Sequence, residues 1–336
     1  MTVSHHSHSG EFCLHAKGTL VQVVEEAIRQ GFTTYGLSEH VPRYKLEHLY
    51  PEEAHLTPRD LEDTFARYLV EANRLKALYR DRITLLVGLE TEYIDPAGLA
   101  NLERLVEASA ASIDYVVGSV HHCDELPIDF DQPRFDHVVS LQPSPDRRAR
   151  FAHLFAQYFD RQYELIDRLR PEVVGHFDLC RLYYPETDFR QFPDVWQKIR
   201  RNIDLAVSYG ALFELNASAF RKGWTTGYPG AEVFDAILES GGRFTLSDDS
   251  HGPHAVGLHY DRAYAYLRDR RVQQLWQLVP AEPRPSDSSA AVGRGQFRRG
   301  TKAVKVEGQP WLAEWPNLFE ERNPPPAPTT TMAQTA

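Results

Sequence analysis

The chain has 336 residues, of which 42% are hydrophobic and 25% are charged, and its formal net charge is −10. This composition is typical of an ordinary globular protein and argues against a broad surface for nucleic acid. No apolar run approaches the ~18 residues of a membrane helix, and the first residues do not resemble a signal peptide. The three cysteines form no disulfide framework. We therefore expect a cytoplasmic protein that contacts no membrane, and its oligomeric state is left open.

Predicted strands and helices alternate along the first 280 residues. Apolar runs predict strands at 2–5, 33–37, 83–89, 115–120, 172–175, 211–215 and 243–246. Amphipathic stretches with capping residues predict helices between Thr19 and Gly31 and at 57–80, 96–108, 144–170, 188–209 and 231–240, with Pro193 breaking or restarting the fifth. Seven strand-helix units favour an α/β fold whose parallel strands close into one barrel.

Polar side chains stand where the predicted strands end. They are His6, His8, His15, His40, Glu90, His121, His176, Asp249 and His251. Because the carboxyl ends of barrel strands meet at one mouth, these side chains should lie close together. Imidazoles and carboxylates are ligands of divalent cations, and nine of them exceed the needs of one ion. The sequence therefore predicts two or three divalent metal ions, either zinc, manganese or iron.

Residue spacing supports the candidate ligands that follow the first and last strands of the predicted barrel. Side chains alternate along an extended strand, so His6 and His8 share one face and His5 points to the other. The H-x-H pattern alone is a weak signal, which the later residues strengthen. Asp249 and the histidine two positions later repeat this spacing at the last strand. Asp248 is an alternative ligand, although it falls on the opposite face.

The middle of the chain supplies candidates that also have ordinary structural explanations. Glu90 emerges from a buried strand and could bridge two cations. A salt bridge at the barrel rim, or Glu92 in its place, would fit the same pattern. His121 follows a small-residue turn. His176 could instead be a core histidine hydrogen-bonded to Asp178.

Together these segments resemble the PHP (polymerase and histidinol phosphatase) superfamily. The similar segments run in order from residue 5 to about 257. They are H-S-H-S-G with His15, L-S-E-H-V-P-R, Y-P-E-E, G-L-E, G-S-V-H-H, G-H-F-D-L-C-R, E-L-N-A-S-A-F-R-K-G and L-S-D-D-S-H. The second, the third and N-A-S-A-F-R-K-G are most similar to the monofunctional histidinol-phosphatases of fungi and some bacteria.

The resemblance implies a distorted seven-stranded (β/α)7 TIM-like barrel with a trinuclear site. One ion would be held by His6, His8, Glu90 and Asp249, a second by Glu90 as a bridge with His121 and His176, and a third by His15, His40 and His251. Ser4 departs from the pattern, because many members of the superfamily have an aspartate at this position.

The resemblance also implies basic residues that bind a substrate phosphate, since an arginine fork suits a phosphate dianion. Rim salt bridges are their alternative role. Asp178 is the candidate general acid, and Glu39 or Glu11 could meet the ammonium group of the substrate. The predicted phosphate-binding residues are Arg43, Arg181, Arg221 and Lys222, of which Arg181 and Arg221 are also predicted to be catalytic.

The predicted reaction is hydrolysis of a small-molecule phosphate, L-histidinol phosphate, to L-histidinol and phosphate in histidine biosynthesis. Two alternatives stay open: a PHP phosphoesterase for another small phosphate or a nucleotide, and a metal-binding PHP module without catalytic activity. We expect the metallophosphatase domain at residues 1–280, and composition predicts a disordered tail at 323–336. Between them, a partly ordered extension is expected at 281–322, with a late strand at 303–306 and with Trp311, Trp315 and Phe319 packed outside the barrel.

Overall fold

The computed structural model describes residues 2–281, 297 and 299–307. The strands are β1 (Thr2–Ser4), β2 (Ser7–His8), β3 (Phe32–Leu37), β4 (Thr84–Glu90), β5 (Tyr115–Gly118), β6 (His122–Cys123), β7 (Leu126–Pro127), β8 (Val173–Val174), β9 (Leu212–Asn216), β10 (Arg243–Ser247), β11 (Ser250–His251), β12 (Trp276–Pro280) and β13 (Thr301–Lys305). The α-helices are α1 (Leu20–Arg29), α2 (Pro58–Leu78), α3 (Pro96–Ala108), α4 (Gln132–Leu141), α5 (Arg147–Leu169), α6 (Pro193–Tyr209), α7 (Ser218–Arg221), α8 (Ala231–Glu239) and α9 (Tyr260–Asp269).

Seven parallel strands form a nearly closed barrel in the order β1-β3-β4-β5-β8-β9-β10. The edge strands β1 and β10 pack side by side without pairing. Just beyond them, β2 pairs with β11 in parallel register, with Ser7 opposite Ser250 and His8 opposite His251. The ring therefore closes at its carboxyl end, and this closure brings the first and last candidate ligands together. The predicted barrel is confirmed.

Helix α1 shows how local sequence places helices outside the barrel. Thr19 Oγ1 accepts the backbone N–H of Gln22, and Gln22 Oε1 accepts the backbone N–H of Thr19, as a capping box requires. Leu20, Val23 and Ala27 repeat at helical spacing and are fully buried. The helix consequently packs one apolar stripe against the sheet, as its sequence predicts.

A C-terminal hairpin of β12 and β13 packs against the barrel. Leu278 and Phe297 share an apolar cluster with Tyr115 and Leu212, which begin β5 and β9. Strand β13 agrees with the predicted late strand. The expected domain boundary at residue 280, which stays a prediction, falls between the two strands of this hairpin.

Predictions and structure differ mainly in short or weakly patterned elements. The seven barrel strands and six of the helices lie within a few residues of their expected places, and α6 begins at Pro193. Helices α4, α7 and α9 were not predicted. The expected packing of Trp311, Trp315 and Phe319 and the disordered tail lie outside the described residues. Among the helices that are described, none has the length and apolar character needed to cross a membrane.

Candidate metal centre

Glu90 lies at the centre of the barrel mouth, at the last position of β4, and is 1% exposed. Its Oε2 atom lies 3.3 Å from His8 Nε2 and 3.1 Å from His40 Nδ1. The Nε2 atoms of three other histidines surround Oε1, at 3.1 Å for His6, 3.2 Å for His121 and 2.9 Å for His176. One carboxylate therefore faces two sets of imidazoles, an arrangement suited to bridging two cations.

Asp249 lies just after β10, an edge strand of the sheet, and approaches both sets of imidazoles. Its Oδ1 atom lies 3.8 Å from His6 Nε2, 3.7 Å from His8 Nε2 and 3.6 Å from His251 Nδ1. Asn216 and Ser218 donate hydrogen bonds to Oδ2, which leaves Oδ1 for the histidines. The φ angle of Asp249 is +46°, in the left-handed region that few non-glycine residues adopt. Such conformations are concentrated at functional sites.

A third group of histidines lies at the outer rim of the mouth. The ring centroid of His15 lies 5.5 Å from that of His40 and 5.1 Å from that of His251. The Nδ1 atom of His251 lies 3.1 Å from the backbone oxygen of Asp249, which can only accept, so Nδ1 carries the proton and Nε2 the lone pair. The structure thus brings all nine predicted ligands together at one mouth.

Several buried nitrogen atoms of this cluster lack a partner from the chain. His6 Nε2, His8 Nε2, His40 Nε2 and His176 Nδ1 accept or donate no hydrogen bond within the described residues. Buried polar atoms are normally paired. Subsets of the cluster, such as Glu90 with His121 and His176, bring their donor atoms within 4.8 Å of one another. This donor set fits divalent cations.

The buried charges of the cluster shift one another's pKa values. Burial favours a raised pKa for Glu90, but His6 and His121 outweigh it and hold this pKa well below 4.5. Burial favours a lowered pKa for His8, but the nearby carboxylates of Glu39 and Glu90 outweigh it and raise this pKa to about 9. Because a cation must displace the protons of such imidazoles, metal affinity should rise with pH.

Three buried carboxylates stand behind the histidines. Glu92 was predicted only as a competitor of Glu90, and Glu214 was not predicted at all. A charged residue inside the apolar strand β9 is, however, the same signal that identified Glu90. Carboxylates in this position orient metal-binding imidazoles. The distances are 3.1 Å from Glu214 Oε2 to His6 Nδ1, 3.3 Å from Glu92 Oε2 to His121 Nδ1 and 3.5 Å from Glu39 Oε2 to His8 Nδ1.

Asp248 and His5 face away from the cluster. Asp248 accepts hydrogen bonds from Ser4 Oγ at 2.9 Å and Tyr35 Oη at 3.0 Å, and burial raises its pKa to about 6. His5 Nε2 accepts a hydrogen bond from the backbone N–H of Leu278 at 3.0 Å. Ser4 therefore supports Asp248 through its hydroxyl group.

A cavity of about 450 Å³ opens over the metal cluster. Two of the predicted phosphate-binding residues, Arg221 and Lys222, line it. Arg221 Nη2 donates a hydrogen bond to the backbone oxygen of Asp249 at 2.8 Å, so its guanidinium is anchored next to the cluster. The lining also includes Tyr50, Glu52, Asp129, Phe130 and Tyr228.

Arg181, a predicted catalytic and phosphate-binding residue, and Asp178, the candidate general acid, both lie outside the lining of this cavity. Arg181 is 2% exposed, lies outside the lining of this cavity and donates to Asp178 Oδ2 and Glu232 Oε1, both at 2.5 Å. Asp178 is fully buried and also accepts the N–H of Gly230 at 2.8 Å. The guanidinium of Arg181 is thus paired with carboxylates inside the protein, which favours a structural role for it.

Arg43, Glu39 and Glu11 also make contacts away from this cavity. Arg43 is buried, forms an ion pair with Glu53, and lies 3.5 Å from Glu92 Oε1, so it supports the carboxylates behind the cluster. Glu39 stands behind the metal cluster. Glu11 accepts a hydrogen bond from the first N–H of α1 at 3.0 Å. None of the three lines the cavity over the metal cluster.

Fold and site together define an α/β barrel whose candidate metal ligands meet at one mouth. The sequence pattern described as PHP domain matches residues 4–218. A Schizosaccharomyces pombe protein named probable histidinol-phosphatase is 50% identical over 80% of this chain and 86% of its own length. The histidinol-phosphatase of Saccharomyces cerevisiae is 34% identical over 79% of this chain and 88% of its own length. The chain belongs to the PHP domain family and, within it, to the histidinol-phosphatases.

Solved structures of bacterial proteins share this fold. A candidate histidinol phosphatase from Listeria monocytogenes superimposes with a TM-score of 0.66 and 21% identity, over 77% of this chain and 99% of its own. Histidinol phosphate phosphatase from Lactococcus lactis superimposes with a TM-score of 0.56 and 16% identity, over 82% of this chain and 96% of its own. The latter was crystallised with zinc, L-histidinol and phosphate.

Proposed function

We propose that the protein hydrolyses L-histidinol phosphate to L-histidinol and inorganic phosphate, a step of histidine biosynthesis. The observation that carries this proposal is the 50% identity to a protein named probable histidinol-phosphatase, over 86% of that protein. The imidazole and carboxylate cluster supports it, because it suits metal-assisted hydrolysis. The related fold crystallised with zinc, L-histidinol and phosphate supports the same substrate.

The mouth is proposed to hold two or three divalent ions, with zinc, manganese and iron all suited to its mixed donors. When bound, such ions neutralise the charge of a phosphate and lower the pKa of the water that attacks phosphorus. The chain keeps the donors in place through Glu214, Glu92 and Glu39. In this proposal, His6, His8, Glu90 and Asp249 hold one ion, Glu90 with His121 and His176 a second, and His15, His40 and His251 a third.

Arg221 and Lys222 are proposed to bind the phosphate. Both line the cavity, and the hydrogen bond from Arg221 to the backbone oxygen of Asp249 holds its guanidinium beside the cluster. Fixed positive charge of this kind stabilises the negative charge of a phosphoryl group during transfer. Arg221 is therefore the proposed catalytic arginine, and Lys222, which is more exposed, adds charge at the rim.

The remaining lining residues suit the organic part of the substrate. Tyr50 and Phe130 stack with ring centroids 5.9 Å apart and offer apolar faces to an imidazole ring. Glu52 and Asp129 supply negative charge for an ammonium group. A cavity with both cationic and acidic groups thus matches a molecule that carries both a phosphate and an amine.

Tyr228 is proposed to donate a hydrogen bond to the bound substrate. It lines the cavity, and its buried hydroxyl has no hydrogen-bond partner among the residues that the structure describes. Burial and the nearby charge of Asp178 raise the pKa of Tyr228 well above 10, so the hydroxyl keeps its proton near neutral pH. It can therefore donate to a phosphate oxygen or to the oxygen of the leaving alcohol.

Growth of a histidine auxotroph that lacks histidinol-phosphatase tests the function in cells. The wild-type chain should restore growth without histidine, and His6→Ala should not. His55→Ala, which removes an exposed histidine, is the matched control and should restore growth. Rescue by His6→Ala would contradict the proposed site.

Turnover of a panel of phosphomonoesters tests the substrate. The purified enzyme should prefer histidinol phosphate to nucleotides and sugar phosphates by about 100-fold or more in kcat/KM, because only this substrate presents both an imidazole and an amine. A preference for a nucleotide would overturn the substrate assignment. A metal-loaded protein that hydrolyses no monoester would favour a non-catalytic metal-binding module.

A further inference from the structure

Cys13 lies after β2, beside the third group of histidines. Its side chain is buried, with 6% of the residue exposed, and its Sγ atom lies 3.1 Å from His15 Nε2. The donor atoms of Cys13, His15, His40 and His251 all lie within 4.8 Å of one another. Four donors of these types complete the coordination of a tetrahedral ion.

The three imidazoles each retain a nitrogen for such an ion. His15 Nδ1 lies 3.3 Å from Glu52, which leaves Nε2, the atom next to Cys13. His251 donates through Nδ1 to a backbone oxygen and keeps the lone pair of Nε2. His40 Nε2 is buried without a hydrogen-bond partner in the described part of the chain. These nitrogens are independent evidence that a cation belongs beside the thiol.

The distance between sulfur and nitrogen also suits two ligands of one ion. Zinc-sulfur and zinc-nitrogen bonds of about 2.3 and 2.0 Å place two tetrahedral ligands about 3.5 Å apart, close to the 3.1 Å between Cys13 and His15. A thiol that only donated a hydrogen bond would occupy His15 Nε2. That would leave the third cation position with two imidazoles.

We propose that Cys13 is the fourth ligand of the cation held by His15, His40 and His251. The inference rests on the metal centre of the proposed function and adds a thiolate to it. A thiolate is a softer donor than imidazole or carboxylate, so this position selects zinc or another thiophilic ion over manganese. The two positions that share Glu90 have only nitrogen and oxygen donors. The third position therefore differs from the other two in its metal preference.

Cobalt(II) added to chelator-treated full-length protein reports the thiolate directly, through sulfur-to-cobalt charge-transfer absorption in the near ultraviolet. Wild type should show this band with an intensity of one thiolate per chain. Cys180→Ser, which removes a buried free thiol outside the cluster, is the matched control and should keep the band. Cys13→Ser should lose the band and keep the visible absorption of cobalt at the other positions.

X-ray absorption of the zinc-loaded wild type needs no variant and should show one sulfur per chain at about 2.3 Å from zinc. Three ions per chain with neither a charge-transfer band nor a sulfur neighbour would overturn the role of Cys13 and leave the proposed function intact. A band retained in Cys13→Ser would also overturn it. A chain that binds fewer than two ions would overturn both.

Discussion

Glu214 fixes two histidines of the metal centre from inside the barrel. Its Oε2 atom lies 3.1 Å from His6 Nδ1, and its Oε1 atom accepts the backbone N–H of His176 at 2.5 Å. Burial favours a raised pKa for Glu214, but His6 outweighs it and lowers this pKa below 4.5, so the carboxylate stays charged. It can therefore keep the His6 proton on Nδ1 and the lone pair of Nε2 toward the metal.

Glu214→Gln should weaken zinc binding or activity by about 10- to 100-fold, the usual effect of removing the carboxylate behind a metal-binding histidine. Zinc titration and kcat/KM with histidinol phosphate measure it. Glu107→Gln makes the same exchange at an exposed position of α3 and is the control. Unchanged zinc affinity and activity in Glu214→Gln would show that His6 is oriented without this carboxylate.

Substitutions of Arg221 and Arg181 should have different effects, the first on catalysis and the second on stability. Arg221→Gln should lower kcat/KM by about 10- to 100-fold, because a hydrogen bond to a charged group contributes about 1.5–3 kcal/mol. Arg181→Gln should instead lower the free energy of unfolding by about 3–5 kcal/mol, because it leaves the buried Asp178 and the partly buried Glu232 without their partner. Enzyme kinetics and denaturant unfolding distinguish the two. A large kinetic defect in stably folded Arg181→Gln would support its predicted role in phosphate binding.

At the level of elements, the sequence predicts the strands and helices that are specified by residues close together in the chain. The apolar run before Glu90 identifies β4, and the capping box at Thr19 identifies α1. The two-residue strands β2 and β11 have no such signal, because their pairing joins positions about 240 residues apart. The ion pair of Arg181 with Glu232 joins positions 51 residues apart and likewise has no local signal.

The C-terminal hairpin depends on a buried ion pair as well as on apolar contacts. Arg299 Nη1 lies 2.8 Å from Glu172 Oε2, and Glu172 is fully buried. Arg299→Met should lower the free energy of unfolding by about 3–5 kcal/mol, because it leaves this carboxylate buried and unpaired. Denaturant unfolding measures the loss. Metal content should not change, since the pair is remote from the mouth.

The double variant Glu172→Gln with Arg299→Met is the control for that loss. It removes the charge together with its partner and should recover part of the stability lost in Arg299→Met. Equal stability of wild type and Arg299→Met would show that the hairpin is held by its apolar contacts alone.

At the scale of the whole molecule, the cations are expected to stabilise the barrel by joining its two edge strands. His6 and His8 follow one edge strand, β1, while Asp249 and His251 follow the other, β10. A ligand present at 1,000 times its dissociation constant stabilises the folded state by about 4 kcal/mol. Zinc-loaded wild type should therefore melt at a higher temperature than chelator-treated protein in a thermal scan. The melting temperature of His6→Ala should rise much less on zinc loading. A rise identical to that of wild type would argue against ions shared between the two edge strands.

Acid should destabilise the molecule through His5, which ties β1 to the hairpin. Its Nε2 accepts the N–H of Leu278, so Nδ1 carries the proton and donates to Thr245 Oγ1 at 3.0 Å. Burial lowers the pKa of His5 to about 4, against 6.5 for the unfolded chain. Between these values the unfolded state binds more protons, so this contribution is complete above pH 6.5 and is lost as pH falls toward 4.

The size of the acid effect follows from the separation of the two pKa values of His5. A shift of one pKa unit corresponds to 1.36 kcal/mol, so the loss should be about 3 kcal/mol. Chelator-treated wild type should therefore lose about 3 kcal/mol more unfolding free energy between pH 7 and 4 than His5→Gln, which keeps an acceptor but does not titrate. His55→Gln controls for loss of an exposed imidazole. Parallel curves for wild type and His5→Gln would mean that His5 binds protons equally in the folded and unfolded states, and the hairpin would then not be the acid-sensitive part of the barrel.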